Sequence, residues 1–408
     1  MEVKPGYKMT EVGIIPEEWE VRPLGELGEA LIGLTYKPSD VKTYGTLVLR
    51  SSNIQNDTLV FDDNVFVDAD IPKRIQVRLG DVLICVRNGS RDLIGKAALL
   101  DKRAMGMTFG AFMAVYRSSF GELANYLFQS NILKRQITEH LGATINQITN
   151  RSLNSFRIPV PPHKEEQRAI VTALSDVDAL LDSLDRLIAK KRNLKQAAMQ
   201  ELLTGKTRLP GFGGEWEVKS LGELAEIVSG GTPKTTQPAY WNGVINWCTP
   251  TDITSCEGKY LIETERTISQ LGLLHSGATI LPAGALLLCS RATIGEVKIS
   301  AGEACTNQGF KSLVCGPRMS NEFLYYSLLT MKQQMIQRAF GSTFLEISKT
   351  NLASLEVNIP PLPEQRAIAS VLSDMDEELA ALEARRDKTR LLKQAMMEEL
   401  LTGKTRLV

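Results

Sequence analysis

The sequence predicts an α+β chain with a pseudo-twofold internal repeat: two globular β-rich domains separated by two long antiparallel helices that form an intramolecular coiled coil. Three observations carry this expectation. Segment 167–209 returns at 365–407 without a gap, identical at 26 of 43 positions. Each copy spaces its apolar residues alternately four and three apart, as a coiled-coil seam requires. Ahead of each copy lie short β-rich runs broken by Gly, Asn, Asp and Ser, the pattern of strands joined by turns. The borders fall at 1–157 and 210–357 for the globular parts, and at 158–209 and 358–408 for the helices.

The repeat begins before the helices. Trp19-Glu20-Val21-Arg22 followed by Leu24-Gly25-Glu26-Leu27 recurs as Trp216-Glu217-Val218-Lys219 and Leu221-Gly222-Glu223-Leu224. Gly80-Asp81-Val82-Leu83-Ile84-Cys85-Val86-Arg87 matches Gly284-Ala285-Leu286-Leu287-Leu288-Cys289-Ser290-Arg291, in both cases a turn and then a buried strand. The loops that follow, up to Ile94-Gly95-Lys96 and Ile294-Gly295-Glu296, differ by four residues. Helical stretches are expected near 123–140 and 321–338. Gly142-Ala143-Thr144 matches Gly341-Ser342-Thr343, and the proline-rich exits 158–162 and 359–363 cannot continue a helix backwards. Segments 53–70 and 251–270 share little beyond strand-like patterning. A scaffold that stays alike while its loops diverge fits one device aimed at two targets, and equally fits neutral drift on a surface.

In the first helix the seam runs Ile170, Leu174, Val177, Leu181, Leu184, Ile188, and in the second Ile368, Leu372, Met375, Leu379, Leu382. Both seams falter, with Lys191 and Thr389 on the stripe, and are expected to resume at Leu194, Ala198, Leu202 and at Leu392, Met396, Leu400. Pro162 and Pro363 open the helices, and Gly205 and Gly403 stop them. About 40 residues at about 1.5 Å each make a rod of about 60 Å. Pairing within the chain is favoured over pairing between two chains because a matched helix in the same polypeptide has the higher effective concentration.

Composition narrows the function. No run of about 18 apolar residues and no apolar leader is present, so a soluble, cytoplasmic, membrane-free chain is expected. Six cysteines without a C-x-x-C pair, and only three histidines, read as buried thiols of a reducing compartment. Formal charge is zero, with 47 basic and 47 acidic residues. Residues 71–103 nevertheless hold eight Lys or Arg against three Asp, a footprint suited to phosphates or simply a solvated basic face. Catalytic motifs are missing. Thr204-Gly205-Lys206-Thr207 and its copy at 402–405 lack the glycine a phosphate-binding loop needs and end a helix instead of starting one. Asn358-Ile359-Pro360-Pro361-Leu362 has an intervening isoleucine and no aromatic, so it departs from the amino-methyltransferase loop. No histidine belongs to a paired nucleophile motif.

Leu-Gly-Glu-Leu, the Gly-Asp-Val-Leu-Ile strand, and Pro-Pro leading to Glu-Gln-Arg-Ala-Ile (Glu166–Ile170 and Glu364–Ile368), then a long helix ending Glu-Leu-Leu-Thr-Gly, make the chain similar to the specificity subunits of type I restriction–modification enzymes. The resemblance covers essentially the whole chain. It implies a non-catalytic, DNA-binding subunit in which each globular part is a target-recognition domain for one half of a split, asymmetric sequence. The helices would set the spacer and dock two methyltransferase subunits, and restriction/translocase subunits would join them. No cofactor belongs to this chain; S-adenosylmethionine would sit in the methyltransferase, and ATP and Mg in the translocase. The near-neutral charge departs from a stand-alone DNA binder, which places most phosphate neutralisation on the partners. A coiled-coil scaffold that touches no DNA is the alternative.

Polar and basic residues flanking the matched strands are the candidate contacts to double-stranded DNA, since Arg suits guanine, Asn suits adenine, and a turn presents N–H groups to phosphate. In the first domain these are Tyr36, Lys37, Arg50, Ser52, Asn53, Arg87, Asn88, Ser90, Arg91 and Lys96. In the second they are Thr232, Lys234, Thr249, Thr251, Asp252, Arg291, Thr293, Asn307, Gln308 and Lys311.

Overall fold

A computed structural model describes residues 4–143, 146–341 and 345–407. Thr144, Ser342 and Thr343 of the matched segments lie outside the described residues. The chain forms two compact units, Met1–Ser183 with Arg385–Val408, and Leu184–Ala384. The division cuts across the two long helices, whereas the sequence-level borders separate the helices from the globular parts.

In the first unit, strands β1 (Glu29–Ile32), β2 (Val82–Cys85), β3 (Ala97–Leu99) and β4 (Met113–Arg117) form an antiparallel sheet in the order β3-β2-β4-β1. Alternation along the strands gives the sheet two apolar faces. Val82, Ile84, Ala114 and Tyr116 pack with Leu123, Leu127 and Phe128 of the helix Gly121–Gln129. Leu83, Cys85, Met113 and Val115 pack with Leu47, Leu49 and Phe109 of a second small sheet. The sheet is therefore buried between a helical layer and a second β layer. Arg117 clamps Asp81 through two hydrogen bonds of 2.9 and 2.7 Å, and Asp81 also accepts the Arg78 N–H at the turn before β2.

The second unit repeats the plan. Strands β5 (Ala225–Ser229), β6 (Tyr260–Leu261), β7 (Leu286–Leu288), β8 (Val297–Ser300) and β9 (Lys311–Cys315) run in the order β5-β9-β7-β8-β6. Leu286 and Leu288 face Phe323 and Leu324 of the helix Asn321–Thr330, while Leu287 and Cys289 face Cys248 and Phe310. Segment 251–270 departs from the strand-like expectation at its start, where Pro250–Ser255 is a helical turn capped by Asp252. Each globular part is also closed on its own ends: Glu20–Pro23 pairs with Arg157–Val160, and Glu217–Ser220 with Glu356–Ile359.

The long helices are α1 (Lys164–Leu202) and α2 (Leu362–Leu400). They run antiparallel in each unit. In the first unit Asp178 meets Lys393 at 2.7 Å and Glu166 meets Arg406. In the second Lys191 meets Glu378 at 2.6 Å, Lys195 meets Asp376, and Arg208 meets Glu364 at 2.6 Å. Partner numbers fall on one helix as they rise on the other. Ile170 and Leu174 pack with Met397, Leu400 and Leu401, and Leu202 and Leu203 with Ile368, Ala369 and Leu372. Gly205 and Gly403, at φ +73° and +68°, turn the chain out of the helices as expected. Beyond each stop an arginine folds back over a tryptophan, Arg406 over Trp19 and Arg208 over Trp216, onto a glutamate only 1% exposed at the start of the other helix.

One part of the seam differs. Leu194 and Leu392 are 46% and 55% exposed, so the apolar stripe does not resume at them. Their neighbours Lys195 and Lys393 take the inward direction instead, each toward an aspartate that also accepts a tyrosine hydroxyl: Tyr326 to Asp376 at 2.8 Å, Tyr126 to Asp178 at 2.9 Å. Successive helix residues point about 100° apart, which turns the leucines outward. All six cysteines are free thiols, four of them buried. Burial pushes the thiols of Cys289 and Cys305 up to about 11 and that of Cys315 to about 12.

Candidate nucleic-acid interface

In the first unit the loops around residues 34–37, 50–53, 87–90 and 110–112 are stitched into one cluster beyond the end of β2. The Phe112 carbonyl accepts the N–H groups of Val86 and Arg87, both at 3.1 Å. Leu34 donates to the Phe109 carbonyl at 2.6 Å, and Ala111 donates back to Leu34 at 2.9 Å. This close approach needs Gly33, where a Cβ would lie 2.3 Å from the Gly110 carbonyl oxygen. Asn88 donates to Ser51 Oγ at 3.3 Å, while its Oδ1 accepts the Ser90 N–H at 2.9 Å and shapes the turn. Lys37, Arg87, Ser90 and Arg91 are exposed; Tyr36, Ser52, Asn88 and Lys96 are half-buried. The Arg87 guanidinium lies 5.1 Å from the centroid of the Phe112 ring, which is 59% exposed.

The second unit builds the corresponding cluster. Ser290 donates to the Gly309 carbonyl at 2.7 Å, Asn307 to Cys248 at 3.1 Å, and Gly231 to Thr306 at 2.9 Å, joining loops 230–234, 249–252, 291–293 and 307–309. Thr232 donates to Gln308 across the cluster. Ala292 holds φ +54°, a left-handed backbone that costs a non-glycine residue energy and sits between two candidate contacts, Arg291 and Thr293. The indoles of Trp247 and Trp241 donate to the carbonyls of Gly231 (2.9 Å) and Lys234 (3.3 Å), and Arg266 stacks 3.6 Å from the Trp241 ring centroid. Thr232, Lys234, Thr251, Arg291 and Gln308 are exposed.

A family model for the type I restriction modification DNA specificity domain matches residues 16–191 and again 213–391. The chain belongs to that family. It is a DNA sequence-recognition specificity subunit of a type I restriction–modification system and not a catalyst, which sets aside the scaffold alternative. Among curated relatives, the type I restriction enzyme MjaIX specificity subunit of Methanocaldococcus jannaschii is 34% identical over 45% of this chain and 42% of that protein. The putative MjaX specificity subunit of the same organism is 26% identical over 98% of this chain and 96% of that one. A chain solved in work on complex assembly and conformational transition of the type I R-M system superposes with a TM-score of 0.61, at 21% identity, over 96% of this chain and 99% of its own. At that identity the likeness concerns the fold alone.

Within this specificity subunit the structure sorts the sequence-level candidates. Asn53 is fully buried: its Oδ1 accepts the Arg50 N–H and its amide donates to the Val60 carbonyl. Asp252 is 7% exposed and accepts from the backbone of Thr249 and Glu265. Lys311 is 8% exposed and reaches Glu346. These three face inward and hold the loops, unlike the exposed candidates, and their polar atoms are engaged within the chain. Arg50 is ion-paired to Asp63 at 2.7 Å, and Lys96 donates to the Ile54 carbonyl at 3.0 Å. Arg291 pairs with Glu346 at 2.6 Å. Burial works to raise the Glu346 carboxyl, but hydrogen bonds from Arg291 and Lys311 outweigh it and leave the group below its ordinary value. Sequence reasoning missed Phe112, Glu346 and the Trp241–Arg266 stack. Glu346 lies in a matched segment but differs from its counterpart Gln147, and Phe112, Trp241 and Arg266 belong to none of the repeated motifs, so the repeat gave no signal for them. Among the described residues no cluster of His, Cys, Asp or Glu is placed to hold a metal ion, and no helix is long and apolar enough to cross a membrane.

Proposed function

We propose that each unit reads one half of a split, asymmetric duplex target with its loop cluster, while α1 and α2 set the interval between the halves. The observation that carries this reading is that two clusters built on corresponding strand ends expose different side chains. Lys37, Arg87 and Ser90 serve the first, and Thr232, Lys234, Thr251 and Gln308 the second, while Arg91 turns away to the Thr138 carbonyl at 3.3 Å. Matched scaffolds with unlike surfaces suit two unlike half-sites.

Partners supply the reaction. Two methyltransferase subunits carrying S-adenosylmethionine dock on the helices, and restriction/translocase subunits using ATP and Mg complete the cytoplasmic assembly. Leu187 and Leu194, seven residues apart on α1 in the second unit and 37% and 46% exposed, support docking, because apolar residues at this spacing suit a partner helix. The test is a genome-wide map of modified adenines in cells carrying this chain and its methyltransferase, with and without the chain. A split motif that disappears with the chain is expected. Modification that persists unchanged overturns the reading.

A further inference from the structure

We infer that Arg87, steered by Phe112, reads a guanine in the half-site of the first unit, and that the second unit has no counterpart of this pair. The inference rests on the proposed reading of half-sites by the loop clusters. It starts from one arginine in two settings. Arg87 and Arg291 follow matched strands and each forms an isolated bridge to a returning segment, Arg87 to Gln147 and Arg291 to Glu346. In the second unit that partner is an acid, and it holds the guanidinium at 2.6 Å. In the first it is a neutral amide, and among the described residues no carboxylate is ion-paired with Arg87.

The aromatic differs in the same way. Val86 donates to the Phe112 carbonyl where Ser290 donates to that of Gly309, so the second unit has glycine where the first has phenylalanine. Phe112 keeps 59% of its surface in solvent, which a packing role does not explain, and the Arg87 guanidinium lies 5.1 Å from its ring centroid. A ring face holds a guanidinium without consuming its hydrogen bonds, because the attraction is to the quadrupole and the N–H donors stay free in the plane. A fixed, donor-rich fork at the rim of a DNA-reading loop matches the O6 and N7 acceptors of guanine. Phe112 is a positioning residue: it limits the rotamers of Arg87 before DNA arrives, which lowers the ordering cost of the contact.

The experiment uses the full chain assembled with its methyltransferase and selects modified duplexes from a random library. Wild type should yield a split motif. Arg87→Ala should relax a single guanine in one half by about 5- to 100-fold, with the other half unchanged. Arg87→Lys should recover little, since an ammonium cannot form the fork. Phe112→Ala should relax the same guanine partially, and Phe112→Tyr should restore it, a rescue that a merely structural role at another base would not give. A wild-type split motif that Arg87→Ala leaves intact, or relaxes at a base other than guanine, overturns the inference. Absence of any split motif from wild type overturns the underlying reading of half-sites instead. Thermal unfolding of each variant at the wild-type midpoint confirms that the change is in recognition.

Discussion

Glu346 sits between Arg291 and Lys311 and consumes two of the cations that the second loop cluster could offer to phosphate. Its carboxyl lies below its ordinary value in the folded state. The stabilisation this implies is fully present above the unfolded value of about 4.3 and is lost as pH falls through the lower folded value. Glu346→Gln, which copies Gln147 of the first unit, should therefore cost about 0.5–1 kcal/mol at neutral pH, the range of a partly exposed pair. The gap between wild-type and variant melting temperatures should close as the pH is taken below 4. A gap that stays constant in acid would mean the carboxylate charge is not what stabilises. At this scale the sequence was least legible. Asn53 and Asp252 have the residue types of base readers and sit in the expected loops, yet one residue's direction decides whether such a side chain caps its own turn or reaches a partner. Composition does not carry that direction.

The helices were the most legible elements. A four-and-three seam, a proline at the start and a glycine at φ +73° or +68° past the end fix where α1 and α2 begin and stop. What the seam could not show is that it gives way to a polar lock. Tyr126, Asp178 and Lys393 in one unit, and Tyr326, Asp376 and Lys195 in the other, occupy corresponding positions, so the same lock closes twice. A polar set at a seam position specifies register, because a slipped alignment would bury the charges without partners. Asp376→Ala should destabilise the second unit by about 1–3 kcal/mol, since it leaves the 18%-exposed Lys195 and the Tyr326 hydroxyl without their acceptor. Adding Lys195→Met should return part of the loss. If the double variant unfolds as the sum of the two single ones, Asp376 and Lys195 are not coupled and the lock is not a unit.

At the scale of the whole molecule the duplication was plain in the sequence, but the partition was not. Each compact unit takes one half of α1 and one half of α2, so neither copy of the repeat is complete without the other. That exchange is what lets helix length act on spacing in the proposed function. Four residues inserted after Ser183 and four after Ala384, at the borders of the two units, leave every ion pair named here on its own side: Asp178 with Lys393, and Lys191, Arg192 and Lys195 with Glu378, Glu383 and Asp376. The insertion adds about 6 Å of helix, between one and two steps of about 3.4 Å along a duplex. The unspecified spacer of the modified motif should lengthen by one or two base pairs, with both half-sites unchanged because neither loop cluster is touched. Mapping modified adenines before and after the insertion measures both quantities at once. A variant that folds, methylates and keeps the original spacer would show that the interval is set by the partners and not by these helices.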